Sequence, residues 1–257
     1  MDNTQKFTGK AAAYANARPG YAAGLFDLLA GELPLNAAVA DIGSGTGILT
    51  KELLRRGYSV CAVEPNADMR ACAETDLAGC SGFRSIAAPA EHTTLPGHSM
   101  DAVTAAQSFH WFDPAAFQTE CRRILKPGGR VYLIWNNRDS DSPIVRENYS
   151  ICQEYCPGFQ GFSGGNAEMD AVICGFFGGT CEKLVFENNL YFDRPRFLDR
   201  LRSASYSPAP EDPVYAPYMA ALEALFGRYA RDGVLEMPNQ TVVYRAPREG
   251  AGRNILI

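Results

Sequence analysis

The stretch that most narrows the fold is residues 37–57, "AAVADIGSGTGILTKELLRRG". A short apolar run stops at a turn holding Gly43, Gly45 and Gly47. In the segment after it, Ile48, Leu49, Leu53 and Leu54 share one helical side before Gly57 ends the helix. This is strand, glycine turn, helix. "YSVCAVE" supplies the next strand and completes a βαβ unit, and "PNADMRACAETDLAG" has apolar spacing for a helix, with its Pro suited to a first turn.

The rhythm continues. "GFRSIAAPAEHTTLP" reads as a third strand with a loop and "MDAVTAAQ" as a fourth. Asp113 and Pro114 form a cap and first-turn pair for a helix carrying Phe117, Cys121, Ile124 and Leu125, which "KPGG" ends before a fifth strand, "RVYLIWNN". Strands alternating with helices in this way predict an α/β fold: a Rossmann-like, doubly wound and mostly parallel sheet of about seven strands with helices on both faces. Its ligands belong at the carboxyl ends of the strands.

From residue 138 to 180 the rhythm breaks into a Gly-rich, aromatic segment, read either as a lid over the pocket or as a surface excursion. "CEKLVFENNLYF" then resumes as a strand, Asp193 caps a short helix, and Val214, Tyr218, Leu222, Leu225, Phe226 and Tyr229 mark a longer one. "GVLEMPNQTVVYRAPR" closes as an antiparallel strand in which Pro238 suits an edge or a turn. The 257 residues, 46% of them hydrophobic, are expected to form a single domain over 1–257.

A formal net charge of −5 without a clustered basic face argues against nucleic acid and anionic membranes as partners. The N-terminus lacks the basic-then-apolar order of a secretory signal, and no run of about 18 apolar residues suggests a membrane span. A cytoplasmic location is the expectation. Eight scattered cysteines in a chain this size are expected to be reduced. Cys152, Cys156, Cys174 and Cys181 fall in one stretch, but their spacings miss the paired pattern of zinc sites, so no metal is expected.

The glycine turn limits what can be bound. A dinucleotide fingerprint needs G-x-G-x-x-G, and here Ile48 stands where the last glycine belongs. Asp41 at the strand's mouth would repel a pyrophosphate and attract a cationic amino-acid ligand. Glu64 ends the second strand about 20 residues past the turn, where an acidic side chain accepts hydrogen bonds from ribose hydroxyls. Ribose plus cationic amino acid describes S-adenosylmethionine.

With "VADIGSGTG", "AVEPNADM", "AAPAEHTTLP", "DAVTAAQSFHWFD" and "LKPGGRVYLIWNNRD" in this order, the chain resembles the class I S-adenosylmethionine-dependent methyltransferases over roughly residues 10–140. "YANARPGY", "SFHWFD" and "WNNRD" resemble the small-molecule branch that includes trans-aconitate methyltransferase. The resemblance implies that Asp41, Gly43, Ser44, Gly45 and Gly47 hold the methionine part and Glu64 the ribose, with Pro65 and Met69 packing near the adenosine. Ala90 and Glu91 border the adenine edge. Ala88 and Pro89 occupy the neighbourhood where many relatives place an aspartate, so adenine is read by backbone groups. Gln107 and Ser108 lie beside the methionine end. Residues 1–30 form a segment over the cofactor, in which Tyr14 lies and Arg18 meets the cofactor carboxylate or stays on the surface.

Methyl transfer from a sulfonium is an in-line displacement from an activated donor, so the protein mainly aligns the nucleophile and excludes water, without metal or covalent intermediate. A small-molecule carboxylate attacks unaided, whereas a phenol, amine or carbon acid loses a proton at some stage. His110 at the mouth of strand four is read as a general base, a substrate hydrogen-bonding group or a wall residue. Trp111 and Phe112 pack or form an aromatic wall, and Trp135, Asn136, Asn137 and Arg138 are the acceptor-side residues of strand five. Arg138 suits an acidic substrate, and Tyr206 in "LRSASYSP" enters the pocket or packs in the core. Two competing functions stay open at this point: a regulatory protein that binds the cofactor without turnover, and a nicotinamide-dependent oxidoreductase, against which the glycine spacing argues. The oligomeric state is also open.

Overall fold

The computed structural model describes residues 19–162, 167–204 and 206–247. They form two compact units. The first takes in residues 19–135, 167–186 and 242–247, and the second residues 136–162, 187–204 and 206–241.

In the first unit β1 (Ala38–Ile42), β2 (Ser59–Val63), β3 (Phe83–Ile86), β4 (Met100–Ala106) and β5 (Leu125–Arg138) pair in parallel. Four strands follow in the chain: β6 (Glu182–Glu187), β7 (Leu190–Asp193), β8 (Val234–Met237) and β9 (Asn239–Arg245). The sheet has seven strands in the order β3-β2-β1-β4-β5-β9-β6, mostly parallel with one antiparallel strand, as the sequence rhythm predicts. The strand order reverses at β1, between β2 and β4. The turns leaving β1 and β4 therefore face a crevice at the carboxyl edge.

Successive strand residues point to opposite layers. Ala40, Ile42, Val131, Leu133 and Trp135 join Phe117 of α4 (Pro114–Ile124) and Phe176 of α6 (Ala167–Phe176) in one core. Val39, Tyr132 and Ile134 join Leu25 and Leu29 of α1 (Ala23–Glu32) and Leu53 of α2 (Ile48–Arg55) in the other. Each fully buried Val, Leu, Ile or Phe among them contributes roughly 1.5–3 kcal/mol. At the foot of α1, Glu32 is ion-paired with Arg245 and accepts the Tyr132 hydroxyl at 2.8 Å. Between β2 and β3, α3 (Ala67–Leu77) starts at Asn66, whose side chain accepts from the Met69 amide; Pro65 precedes the cap instead of sitting in the first turn.

The second unit packs α5 (Pro143–Tyr155), α7 (Arg194–Arg202) and α8 (Tyr215–Tyr229) with the antiparallel β7–β8 pair around Cys152, Phe197, Leu201, Tyr218, Leu222, Leu225 and Leu235. Asp193 caps α7 through the Arg196 amide. Residues 138–180 are divided, α5 lying in the second unit and α6 in the first.

Four local expectations are corrected. "CEKLVFENNLYF" is two strands, β6 and β7, in different sheets, and the closing stretch is likewise β8 and β9, broken at Pro238, which has no N–H to give a ladder. The helix from Pro114 ends at Ile124, and "KPGG" lies within β5 as a register shift: Met100 pairs with Leu125, then Ala102 with Arg130. Cys174 and Cys181 form a disulfide rather than remaining reduced, because the turn through Gly178 and Gly179, at φ +80° and +99°, brings their Cα atoms to 5.0 Å. The other six cysteines are free thiols. Among the described residues no helix is long and apolar enough to cross a membrane.

Candidate active site

The glycine turn is shaped by three left-handed residues, Gly43, Gly45 and Gly47, at φ +65°, +57° and +82°. Their surroundings differ. A Cβ on Gly43 would lie 2.5 Å from the Ser108 Cβ, and one on Gly47 would press on Leu77 and Ala73 of α3. At Gly45 nothing lies within 4 Å, so the turn is open there. Thr46, only 6% exposed, has a hydroxyl without a hydrogen-bond partner. Sequence reading passed over Thr46, although a polar residue between two turn glycines was its signal.

Two carboxylates lie beside this turn. Asp41, at the end of β1, is buried and accepts the Thr50 hydroxyl at 2.6 Å and the Thr104 hydroxyl at 2.9 Å. Burial raises its pKa to about 6 against those two hydrogen bonds, and the charge of Glu64 adds to the rise. Thr50 and Thr104 were legible only as polar residues in apolar runs. Glu64, just past β2, accepts the Asn66 amide on one oxygen at 2.8 Å and the Gly45 amide on the other at 3.0 Å. Its pKa is also raised, chiefly by burial. Each Glu64 oxygen retains a lone pair for a hydroxyl donor.

At the carboxyl end of β4, Gln107 takes φ +59°, a left-handed conformation costly for a residue with a side chain. Its amide is held by the Ile134 carbonyl at 2.8 Å, and the Ser108 hydroxyl donates to the Ile42 carbonyl at 2.8 Å. The 3₁₀ turn Phe109–Trp111 follows. Phe109 is buried against Phe112, Phe117, Trp135 and Phe176, with ring centroids 5.2–6.4 Å away. That anchor leaves His110 exposed and Trp111 38% exposed, their rings 4.6 Å apart. Glu91 accepts the Asp113 amide at 2.9 Å, so the loop after β3 is tied to the start of α4.

The glycine turn, Asp41, Glu64, Ala90, Glu91, Gln107, Ser108, His110 and Trp111 thus belong to one unit, at or beyond the carboxyl ends of its strands. Pro65 is exposed beside Glu64, and Met69 is buried on α3. Trp135 is 6% exposed and packs in the core against Phe109 and Tyr244. Asn136, Arg138 and Tyr206 belong to the second unit. There Asn136 accepts from Asn188 and Thr241, Arg138 lies 4.0 Å over the Phe162 ring, and Phe162, Phe159 and Tyr206 pack in series at 5.1 and 4.9 Å. Tyr14 and Arg18 lie outside the described residues.

A doubly wound sheet with a glycine turn after β1 and an acid after β2 defines a Rossmann-like α/β protein built for a nucleoside-bearing ligand. Residues 40–133 match the family model described as methyltransferase domain. An uncharacterized methyltransferase of Mycobacterium tuberculosis is 33% identical over 249 residues, covering 95% of this chain and 96% of that protein. The fold is shared with a candidate type II methyltransferase from Anaeromyxobacter dehalogenans, at 24% identity, TM-score 0.61 and coverage of 89% and 95%. It is also shared with a candidate methyltransferase of an antibiotic biosynthesis pathway from Anabaena variabilis, at 20% identity, TM-score 0.60 and coverage of 88% and 98%. The chain belongs to the methyltransferase family, in its class I, S-adenosylmethionine-dependent form.

Proposed function

We propose that this protein transfers a methyl group from S-adenosylmethionine to a small-molecule acceptor. The observation that carries the reading is the open turn at Gly45, whose amide donates to the Glu64 carboxylate, with the unpartnered Thr46 hydroxyl within the same turn. These residues fit the cofactor's chemistry. Glu64 has lone pairs for ribose hydroxyls, and the Thr46 hydroxyl is a donor for a carboxylate. Gly43, Ser44, Gly45 and Gly47, whose amides already donate to Val63, Glu64 and Ser44, shape the turn around the methionine part. Ala90 and Glu91 border the adenine, Pro65 and Met69 flank the adenosine, and Gln107 and Ser108 stand at the methionine end. When bound, S-adenosylmethionine supplies an electrophilic methyl on a cationic sulfur.

The chain's own contribution is orientation and electrostatics. Asp41, held by two threonine hydroxyls, and Glu64 place negative charge where a cationic ligand is favoured. His110 and Trp111 form the acceptor side of the first unit, with the histidine contacting the acceptor and the indole face favouring positive charge. In the second unit, taken by itself, the Arg138 guanidinium is suited to an acidic group, with Asn136 and Tyr206 in the same unit.

Calorimetric titration with S-adenosylmethionine and S-adenosylhomocysteine tests the reading. Micromolar binding that Glu64→Ala weakens strongly is expected, followed by release of S-adenosylhomocysteine in a panel of small acids, phenols and amines. Absence of binding to the folded protein refutes the function; binding without turnover on any acceptor supports the regulatory alternative.

A further inference from the structure

The loop between β3 and β4 has no regular secondary structure over residues 87–99, so its shape depends on side-chain bonds from elsewhere. Most of that support converges on α4. Glu120, only 4% exposed, accepts the Thr93 amide at 2.7 Å and the Thr93 hydroxyl at 2.5 Å on the same oxygen. Arg123 closes the carboxylate from the other side with two bonds at 2.7 Å. Thr93 is itself fully buried, and its hydroxyl accepts the Leu95 amide at 3.3 Å. Between them Thr94 is held at φ +60°, a conformation that a β-branched residue rarely adopts unless its neighbours fix it.

The geometry points to Glu120 as the positioning residue for adenine recognition, acting through Thr93 to set the backbone of Ala90 and Glu91. This rests on the proposed function, which gives those two residues the adenine edge. A buried carboxylate on a helix facing a loop is costly unless fully bonded, and here every bond it accepts comes from Thr93 or from its own counter-ion Arg123. Two residues upstream of Thr93, Glu91 accepts the Asp113 amide. The loop is therefore pinned along the same helix, by side chains at its N-terminal cap and second turn and by the Arg123 and Ile124 carbonyls, which accept the His98 and Ser99 amides; the proposed adenine edge lies at the first of these pins. A base read by backbone groups needs that backbone fixed, because its discrimination depends on which amides and carbonyls face the ring.

The test titrates wild type, Glu120→Ala and Glu120→Gln with S-adenosylhomocysteine and with S-inosylhomocysteine, in which a carbonyl replaces the amino group of adenine. Wild type prefers adenine, and Glu120→Ala loses about tenfold of that preference, within the span that hydrogen-bond readout supplies. A carboxylate that only stabilised the fold would weaken both ligands equally. Glu120→Gln keeps an acceptor oxygen for Thr93 and restores the preference. Should Glu120→Ala fail to fold, Thr93→Ala carries the same test with the same direction of change. An unchanged preference in the alanine variant overturns the assignment, whereas failure of wild type to bind S-adenosylhomocysteine overturns the proposed function instead.

Discussion

The hydroxyl of Ser108 donates to the carbonyl of Ile42 at 2.8 Å, fastening the turn after β4 to the end of β1. The bond brings the two turns so close that Gly43 has no room for a side chain, its hypothetical Cβ falling 2.5 Å from the Ser108 Cβ and 3.2 Å from Phe112. Gly43→Ala is expected to lose about 1–3 kcal/mol, from the clash and from the φ of +65°. Gly43→Ala/Ser108→Gly relieves the clash but not the backbone strain, so its melting temperature should recover only part of the loss. Equal melting temperatures for wild type and Gly43→Ala would show that the two turns are not tightly coupled.

Asp41 gives the site a pH signature. Burial first, and then the charge of Glu64, raises its folded-state pKa from 3.8 to about 6 against the bonds from Thr50 and Thr104. Between those values the folded state holds more protons than the unfolded chain, so Asp41's contribution to stability falls as pH rises through about 6. The full cost above that pH is on the order of 3 kcal/mol. Urea denaturation across this window should give a difference between wild type and Asp41→Asn that shifts in the variant's favour with rising pH. In the same range, S-adenosylmethionine should bind wild type more tightly as Asp41 ionises and less tightly to Asp41→Asn. A pH-independent difference between the two proteins would contradict both expectations.

The sheet was legible because its strands are short apolar runs punctuated by glycine turns, and the αβ rhythm from residue 37 to 135 follows from local pattern alone. The turn, Asp41, Glu64 and the β4 mouth were legible for the same reason: they sit where strands end. What escaped reading depended on contacts between distant residues. In "CEKLVFENNLYF" the two apolar runs are separated only by Glu187, Asn188 and Asn189, and nothing local shows that they pair in different sheets. Trp135 reads as a strand-mouth residue until Phe109 and Tyr244 are seen to enclose it. Glu120 looks like a solvated helix carboxylate; only its 27-residue separation from Thr93 in the chain hides the bond. The pairing of Cys174 with Cys181 needed the glycine turn between them.

His110 is exposed at the end of the turn that Phe109 anchors, so its removal should spare the fold. His110→Ala is expected to keep its melting stability within about 0.5 kcal/mol of wild type. Activity separates its roles. If the imidazole accepts the acceptor's proton, turnover of a phenol or amine drops by about 10²–10⁴-fold, while a carboxylate acceptor, which needs no base, is still methylated. A raised KM with unchanged kcat for every acceptor would assign His110 to binding instead.

The Arg245 guanidinium reaches two carboxylates, Glu32 at the end of α1 and Glu182 at the start of β6. The Glu32 side chain is 2% exposed, so its charge has almost no water to fall back on, whereas Glu182 is 36% exposed. Arg245→Met removes this counter-charge from Glu32, which keeps the bond from the Tyr132 hydroxyl among its other contacts. The expected loss is about 3–5 kcal/mol, the cost of leaving a buried carboxylate without its cation. Neutralising the acid as well should reverse part of it, so Arg245→Met/Glu32→Gln is expected to unfold at a higher urea concentration than Arg245→Met alone. A single variant as stable as wild type at neutral pH would mean that the ion pair only balances its own desolvation and that α1 is held by its apolar face, chiefly Leu25, Phe26 and Leu29.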